Sequence, residues 1–176
     1  MDRLCDDCGA RIRPVPDQVI QGRLRIRSAY LHEGPARHLV HNFKYRGIGR
    51  AGSFLAEAMA GLVPPSSTLI PVPRVTWRKL RHGIDPAAVL ASTLAALTGG
   101  TRRDLLIPPL WAPGQAGSPR DHRSPPDFRA RNGIPVGPVV IVDDVVTTGG
   151  TAVNAWRALG SGPALVISAT SAGRLR

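Results

Sequence analysis

Two adjacent acids, Asp143 and Asp144, stand between an apolar run and a Thr/Gly turn in the segment Val139-Val140-Ile141-Val142-Asp143-Asp144-Val145-Val146-Thr147-Thr148-Gly149-Gly150-Thr151. A β-branched run of this kind predicts a strand buried on both faces, as in parallel sheets, and the amphipathic stretch Thr151 to Leu159 predicts a helix opening directly from the turn. In an open α/β sheet the crevice beyond the carboxyl ends of the strands receives ligands, and a helix N-terminus there offers unpaired N–H groups to an anion. Gly149 and Gly150 let the backbone approach a phosphate with no Cβ in the way, while Thr147, Thr148 and Thr151 can each donate a hydroxyl hydrogen bond. Ionised carboxylates only accept hydrogen bonds, so they suit a vicinal diol, whereas a phosphate needs donors and a dipole. The same residues would also serve as a plain strand-to-helix connection with two solvated acids. Excluded are a Walker-type loop and a dinucleotide fingerprint, since neither Gly-Lys-Ser/Thr nor Gly-x-Gly-x-x-Gly follows a strand.

The elements needed to hold these groups can be read on either side. Upstream, residues 22 to 31 alternate, with Leu24, Ile26, Ser28 and Tyr30 on one face and Arg23, Arg25 and Arg27 on the other, giving a half-buried strand with a basic exposed side. Gly34-Pro35 opens a helix with a Leu39, Val40, Phe43 stripe that ends at Arg46-Gly47. A second helix, about 49 to 62, carries Phe54, Leu55, Ala58, Met59 and Leu62 and stops before Pro64-Pro65. Thr68 to Pro73 is a short strand with prolines at its end, followed by Arg74, Arg78, Lys79 and Arg81. Next comes a helix capped by Asp85, with Pro86 in its first turn, that runs to Gly99-Gly100. Leu105 to Leu110 reads as another strand and Ala164 to Ala169 as the last. Residues 111 to 132 contain Pro113, Pro119, Pro125 and Pro126 with Gly and Arg; the expectation is a long loop without regular structure, a lid or an uninvolved connection. Alternating β and α elements predict an α/β domain with a parallel sheet.

The segment 139 to 151 resembles the phosphoribosyl pyrophosphate (PRPP) signature of type I phosphoribosyltransferases. Taken with Cys5-x-x-Cys8, Phe43-Lys44-Tyr45-Arg46-Gly47, Ile70-Pro71-Val72-Pro73, the Gly83 to Ala87 segment and Gln115, it is similar to the ComF family, bacterial competence-associated proteins with an N-terminal zinc knuckle and a phosphoribosyltransferase domain. The resemblance implies a type I phosphoribosyltransferase fold with a small N-terminal strand/helix hood. It implies a knuckle segment at 1–21, hood and helices at 22–66, a PRPP-binding core at 67–176, and a mobile loop at 111–132 that closes over the reacting centre. Asp143 and Asp144 would hold the ribose hydroxyls, and Thr147, Thr148, Gly149, Gly150 and Thr151 the 5-phosphate. Pyrophosphate would lie on the Val72-Pro73-Arg74 backbone and the Arg74 side chain, helped by Arg78, Lys79 or Arg81. Mg²⁺ would bridge pyrophosphate and ribose, largely through water near Asp143 and Asp144. Catalysis would rest on Asp143, Asp144 and Arg74. The chain departs from the family in having one C-x-x-C pair where two are usual, in reading His82-Gly83-Ile84-Asp85-Pro86-Ala87 where the family usually reads Arg-Gly-Phe-Asn-Gln-Ala, and in keeping only Gln115 and Arg123 of the mobile-loop pattern.

At 176 residues, 43% hydrophobic and 20% charged, the sequence is that of one globular domain with a real core. Its 23 Lys+Arg, all Arg except Lys44 and Lys79, outweigh 12 acids and leave a formal charge of +11. That charge suits polyanionic partners, whether phosphorylated substrates, nucleic acid or an anionic surface. Arg23, Arg25 and Arg27 with Lys44 and Arg46 suggest a track for weak, sequence-independent binding of single-stranded DNA, with Tyr45 the one nearby aromatic. No apolar run approaches a membrane span and no leader opens the chain, so the expected location is the cytoplasm. There, Cys5 and Cys8 form half of a tetrahedral zinc site, to be completed by His32, His38 or His41 or by a second chain in a homodimer; the alternative is a remnant without metal. The acceptor is not readable. Two functions remain open: a PRPP-dependent transferase in nucleotide metabolism linked to DNA uptake, or a non-enzymatic PRPP-sensing or DNA-handling accessory of the competence machinery.

Overall fold

A computed structural model describes residues 4–74, 85–109, 126–133, 135 and 137–174. In chain order the elements are α1 (Asp6–Arg11), β1 (Gln18–Ile20), β2 (Leu24–Leu31), α2 (Gly34–Arg46), α3 (Gly49–Ala60), β3 (Thr68–Pro71), α4 (Pro86–Thr98), β4 (Thr101–Arg102), β5 (Leu106–Ile107), β6 (Arg129–Ala130), β7 (Val139–Val146), α5 (Gly150–Ala158) and β8 (Leu165–Ser171). Six strands form one sheet in the order β1-β2-β8-β7-β3-β4. Every neighbouring pair in it is parallel except β1 with β2. This is the α/β, mostly parallel architecture that the alternating pattern predicts.

The acid-bearing strand sits where its composition requires. β7 lies between β8 and β3, and its residues feed two cores in turn. Val139 and Ile141 pack with Ile20, Leu24, Phe128, Val153 and Trp156 on the α5 side. Val140 and Val142 pack with Phe43, Leu55, Met59, Leu90 and Leu94 on the side covered by α2, α3 and α4. A strand buried on both faces has no polar side to expose, which is why its apolar run is continuous rather than alternating. Each fully buried Leu or Ile stabilises the fold by about 1.5–3 kcal/mol relative to exposure, so this strand anchors whatever its carboxyl end carries.

The N-terminal helices are fixed by their stripes. α2 buries Val40 and Phe43 and ends at Gly47, whose φ of 63° supplies the left-handed cap that stops the helix. α3 buries Leu55, Ala56 and Met59, and Gly52 lies so close to the Phe43 ring that an added Cβ would come within 2.6 Å of it. β2 keeps the predicted alternation at its start, burying Leu24, Ile26 and Ser28 and exposing Arg25.

Four expectations change. The strand expected at Leu105 to Leu110 is not in the main sheet: β3 takes Thr101–Arg102 as its parallel neighbour, and Leu106–Ile107 pairs antiparallel with Arg129–Ala130 instead. Pro108 and Pro109, which lack N–H donors, end that pairing. The stretch 111 to 132 is accordingly not irregular throughout; Phe128 is buried in the core and β6 is paired, while residues 110–125 lie outside the described residues. Asp85 precedes α4 but makes no side-chain capping hydrogen bond; its carboxylate accepts the Arg74 N–H at 3.3 Å. Finally, β1 and β2 form a hairpin closed by Gln21 and Gly22, with φ of 52° and 66°, so part of the 1–21 segment belongs to the main sheet.

Candidate functional site

β7 carries Asp143 and Asp144 to the carboxyl end of the sheet, with Asp143 beside Ser168 and Val146 beside Ser171 of β8. Both are buried, at 8% and 7% exposure. Successive strand residues point to opposite faces, and the two acids have different surroundings. Asp143 lines a small hollow with Thr147, Thr148, Gly149 and Thr151, the predicted phosphate loop. Asp144 accepts a hydrogen bond from the Lys44 ammonium of α2 at 2.5 Å. The Asp144 backbone N–H donates to Asp143 Oδ1 at 2.8 Å, which fixes the Asp143 carboxyl against the main chain.

Their protonation differs for physical reasons. Burial pushes the Asp143 carboxyl well above the usual carboxylate range, and the neighbouring Asp144 charge adds to the effect. Burial acts the same way on Asp144, but the Lys44 charge and hydrogen bond outweigh it and hold its carboxyl below the usual value. Lys44 is disfavoured by burial too, yet Asp144 raises its pKa overall. Two like charges side by side in a low-dielectric site cannot both ionise freely. The site thus holds one firm ion pair and one carboxyl that retains its proton to higher pH.

The Thr/Gly loop has the local structure its sequence implies. Gly149 precedes α5 with φ 81°, a conformation that costs glycine nothing and other residues more. It turns the chain so that the first N–H groups of α5, which have no partners within the helix, open beside Asp143. Gly150 is the first helical residue. Ile20 from β1 backs the turn, since a Cβ on Gly149 would stand 2.1 Å from Ile20 Cδ1.

At the end of β3, Val72 is buried and its N–H donates to Val142 O at 2.9 Å, extending the sheet one residue beyond the strand. Pro73 follows, and Arg74 places its guanidinium carbon 5.9 Å from the Tyr45 ring centroid, a cation–π distance. Arg74 Nη2 and Asp85 Oδ1 are buried with no hydrogen-bond partner among the described residues. Arg78, Lys79 and Arg81 lie outside the described residues, as do His82 to Ile84, Gln115 and Arg123. His32, at the start of the segment after β2, shares a hydrogen bond with Thr170 Oγ1 at 2.8 Å; burial lowers its pKa, with Arg37 adding to the shift.

Lys44 lies elsewhere than on the basic track that the sequence suggests. It belongs to the acid site and not to a surface track, and the signal was present: Lys44 stands four residues after Val40 and next to Phe43, so it continues the buried face of α2. Arg27 is likewise engaged, donating to Asp17 at 2.8 Å, which leaves Arg23 and Arg25 as the exposed members of the strand's basic side.

Magnesium fits the acid pair in one respect. Mg²⁺ is commonly held by one or two carboxylates together with ligand phosphates and water, and Asp143 is the carboxyl that faces the phosphate loop. Zinc has a weaker case. Cys5 is exposed and Cys8 partly so, and among the described residues no group of three or more His, Cys, Asp or Glu could hold a metal. His32 is bonded to Thr170, and His41 packs on Tyr45 at 4.9 Å between ring centroids. A closed four-ligand zinc site therefore needs donors from outside the described residues, such as a second copy. Elemental analysis combined with solution mass should show zinc only together with dimerisation or with histidine coordination; a metal-free monomer, prepared without chelators, would leave the Cys5/Cys8 pair a remnant.

Fold and site together define an α/β protein with a Thr/Gly loop beside a buried acid pair at the carboxyl end of a mostly parallel sheet. No family model and no curated protein matches the chain. Among solved structures it is similar to the adenine phosphoribosyltransferase of Leishmania donovani, at 16% identity and a TM-score of 0.40, covering 89% of this chain and 75% of that one. No helix among the described residues is long and apolar enough to cross a membrane.

Proposed function

We propose that this chain binds PRPP with Mg²⁺ and acts as a phosphoribosyltransferase-like protein. The observation that carries the reading is the junction of β7 and α5, where the Thr147–Thr151 loop, the α5 N-terminus and the Asp143 carboxyl border one hollow. The loop and helix dipole suit the 5-phosphate, and Asp143 suits the adjacent ribose hydroxyls. Arg74, across the acid pair at the end of β3, suits the pyrophosphate. The mostly parallel sheet, the resemblance of the motifs to those of the ComF family and the positive charge of the chain support the same assignment.

In such a reaction a nucleophile replaces pyrophosphate at C1 of the ribose, and the protein's tasks are to hold the sugar still and to stabilise the charge on the leaving group. Here the rigid β7 end fixes the diol acceptor, α5 fixes the phosphate, and Arg74 supplies the cation. Bound Mg²⁺ would add charge neutralisation on the pyrophosphate. The acceptor would enter from the side of α2, where Tyr45 is half exposed. Incubating the protein with PRPP, Mg²⁺ and a panel of nucleobases, while following pyrophosphate release, should give base-dependent release. Binding of PRPP without release under any condition would favour the sensing role in DNA uptake, and no binding at all would overturn the reading. A DNA-handling accessory role rests on Arg23, Arg25 and Arg46; it predicts oligonucleotide binding that fades steeply as salt rises.

A further inference from the structure

The two acids of the β7 end are not equivalent, and Lys44 is the reason. Asp143 faces the phosphate loop; Asp144 is held by an ammonium that comes from α2, an element of the N-terminal half. The Lys44 side chain is 25% exposed and that of Asp144 10%, so the ammonium is partly buried but reaches the cleft. It has three donors and gives one to Asp144. The next residue, Tyr45, carries the Arg74 guanidinium over its ring, and Arg74 ends in a buried nitrogen without a partner among the described residues. Two cations, Lys44 and Arg74, therefore act on Asp144.

We propose that Lys44 is a ligand-binding residue, tethered by Asp144 and paired with Arg74 to receive the pyrophosphate group, so that Asp144 positions Lys44 while Asp143 serves the ribose. The inference rests on the PRPP reading above and deepens it. PRPP carries anions at both ends of the ribose, and the protein offers donors at both ends of the acid pair: loop amides and hydroxyls beside Asp143, Lys44 and Arg74 beside Asp144. A cation held by a buried carboxylate loses little side-chain freedom on meeting its ligand, which favours binding.

Three probes separate the possibilities by calorimetry in Mg²⁺ buffer: PRPP, inorganic pyrophosphate, and ribose 5-phosphate, which has the loop-binding end but no pyrophosphate. Lys44→Met should weaken PRPP and pyrophosphate binding by about 10- to 100-fold, the weight of one charged hydrogen bond. It should leave ribose 5-phosphate within about twofold, a difference too small to represent a lost contact. Lys44→Arg should recover most of the loss. Because Lys44→Met alone leaves Asp144 buried without its counter-charge, the neutral pair Lys44→Met with Asp144→Asn is measured alongside; it should fold as stably as the parent and still show the selective loss. Equal weakening of all three ligands, or unchanged pyrophosphate binding in the folded neutral pair, would overturn the role of Lys44 and leave the PRPP reading standing. A parent protein that binds none of the three would overturn both.

Discussion

Gly149→Ala is expected to destabilise the protein by about 1–3 kcal/mol and to abolish measurable PRPP binding. Two independent costs add at this position. Gly149 has φ 81°, where an L side chain is strained whatever the available space. An alanine Cβ would also stand 2.1 Å from Ile20 Cδ1 and 3.6 Å from Ile20 Cγ1, and Ile20 is itself buried at 7% exposure. Ile20 Cδ1 is the end of its side chain and can turn away only into a buried surround; the alternative is movement of the Thr/Gly loop. Ile20→Val removes the offending Cδ1 at a cost of about 0.5–1.5 kcal/mol. Combined with Gly149→Ala it should recover the steric part of the loss and not the conformational part. Denaturant unfolding of the four proteins, with PRPP calorimetry on each, checks this; wild-type stability and affinity in Gly149→Ala would show that the turn is looser than its geometry states.

The contact between Ile20 and Gly149 also shows where sequence reading stops. The β7 strand, the turn and α5 were legible because periodicity and glycine chemistry are local: the apolar run, the acids and the Thr/Gly loop are contiguous from Val139 to Thr151. The support beneath the turn comes from Ile20, far away in the chain, and β1 was hidden because its hairpin uses Gln21 at positive φ in place of the Asn or Asp that would have announced it. The position of Asp85 before Pro86 predicts a helix cap by a rule about local donors. A tertiary donor, the Arg74 N–H, takes its carboxylate instead. The two-residue β4 is less apolar than Leu105 to Leu110, and hydrophobicity marks burial without saying which sheet buries it. Lys44 is the most instructive case. Its helical position put it on the buried face, its charge suggested the surface, and the decision was made by an acid 100 residues away in sequence.

Asp143→Asn is expected to raise the stability of the free protein while weakening PRPP binding by about 1–3 kcal/mol. The carboxyl is buried beside a second acid that Lys44 keeps ionised, so its pKa in the folded chain stands well above that in the unfolded chain. A carboxyl raised in this way contributes stability that is fully present below its unfolded value and is lost as pH rises through the folded one. At neutral pH the wild type therefore carries a cost that the amide does not. Asparagine keeps an oxygen where Asp143 Oδ1 accepts the Asp144 N–H at 2.8 Å, so the substitution removes the charge without orphaning that donor. The gain should be about 0.5–2 kcal/mol, measured by urea unfolding in metal-free buffer across a pH series, and it should shrink toward zero as pH falls to the ordinary carboxylate range. Asp144→Asn should behave oppositely. Its folded pKa is depressed, so its contribution is present above the unfolded value and lost as pH falls through the folded one, and removing it at neutral pH strands the partly buried Lys44. Adjacent acids with stability effects of opposite sign are what a ligand site facing one way and an ion pair facing the other require; equal losses from both substitutions would show that the pair acts as one unit.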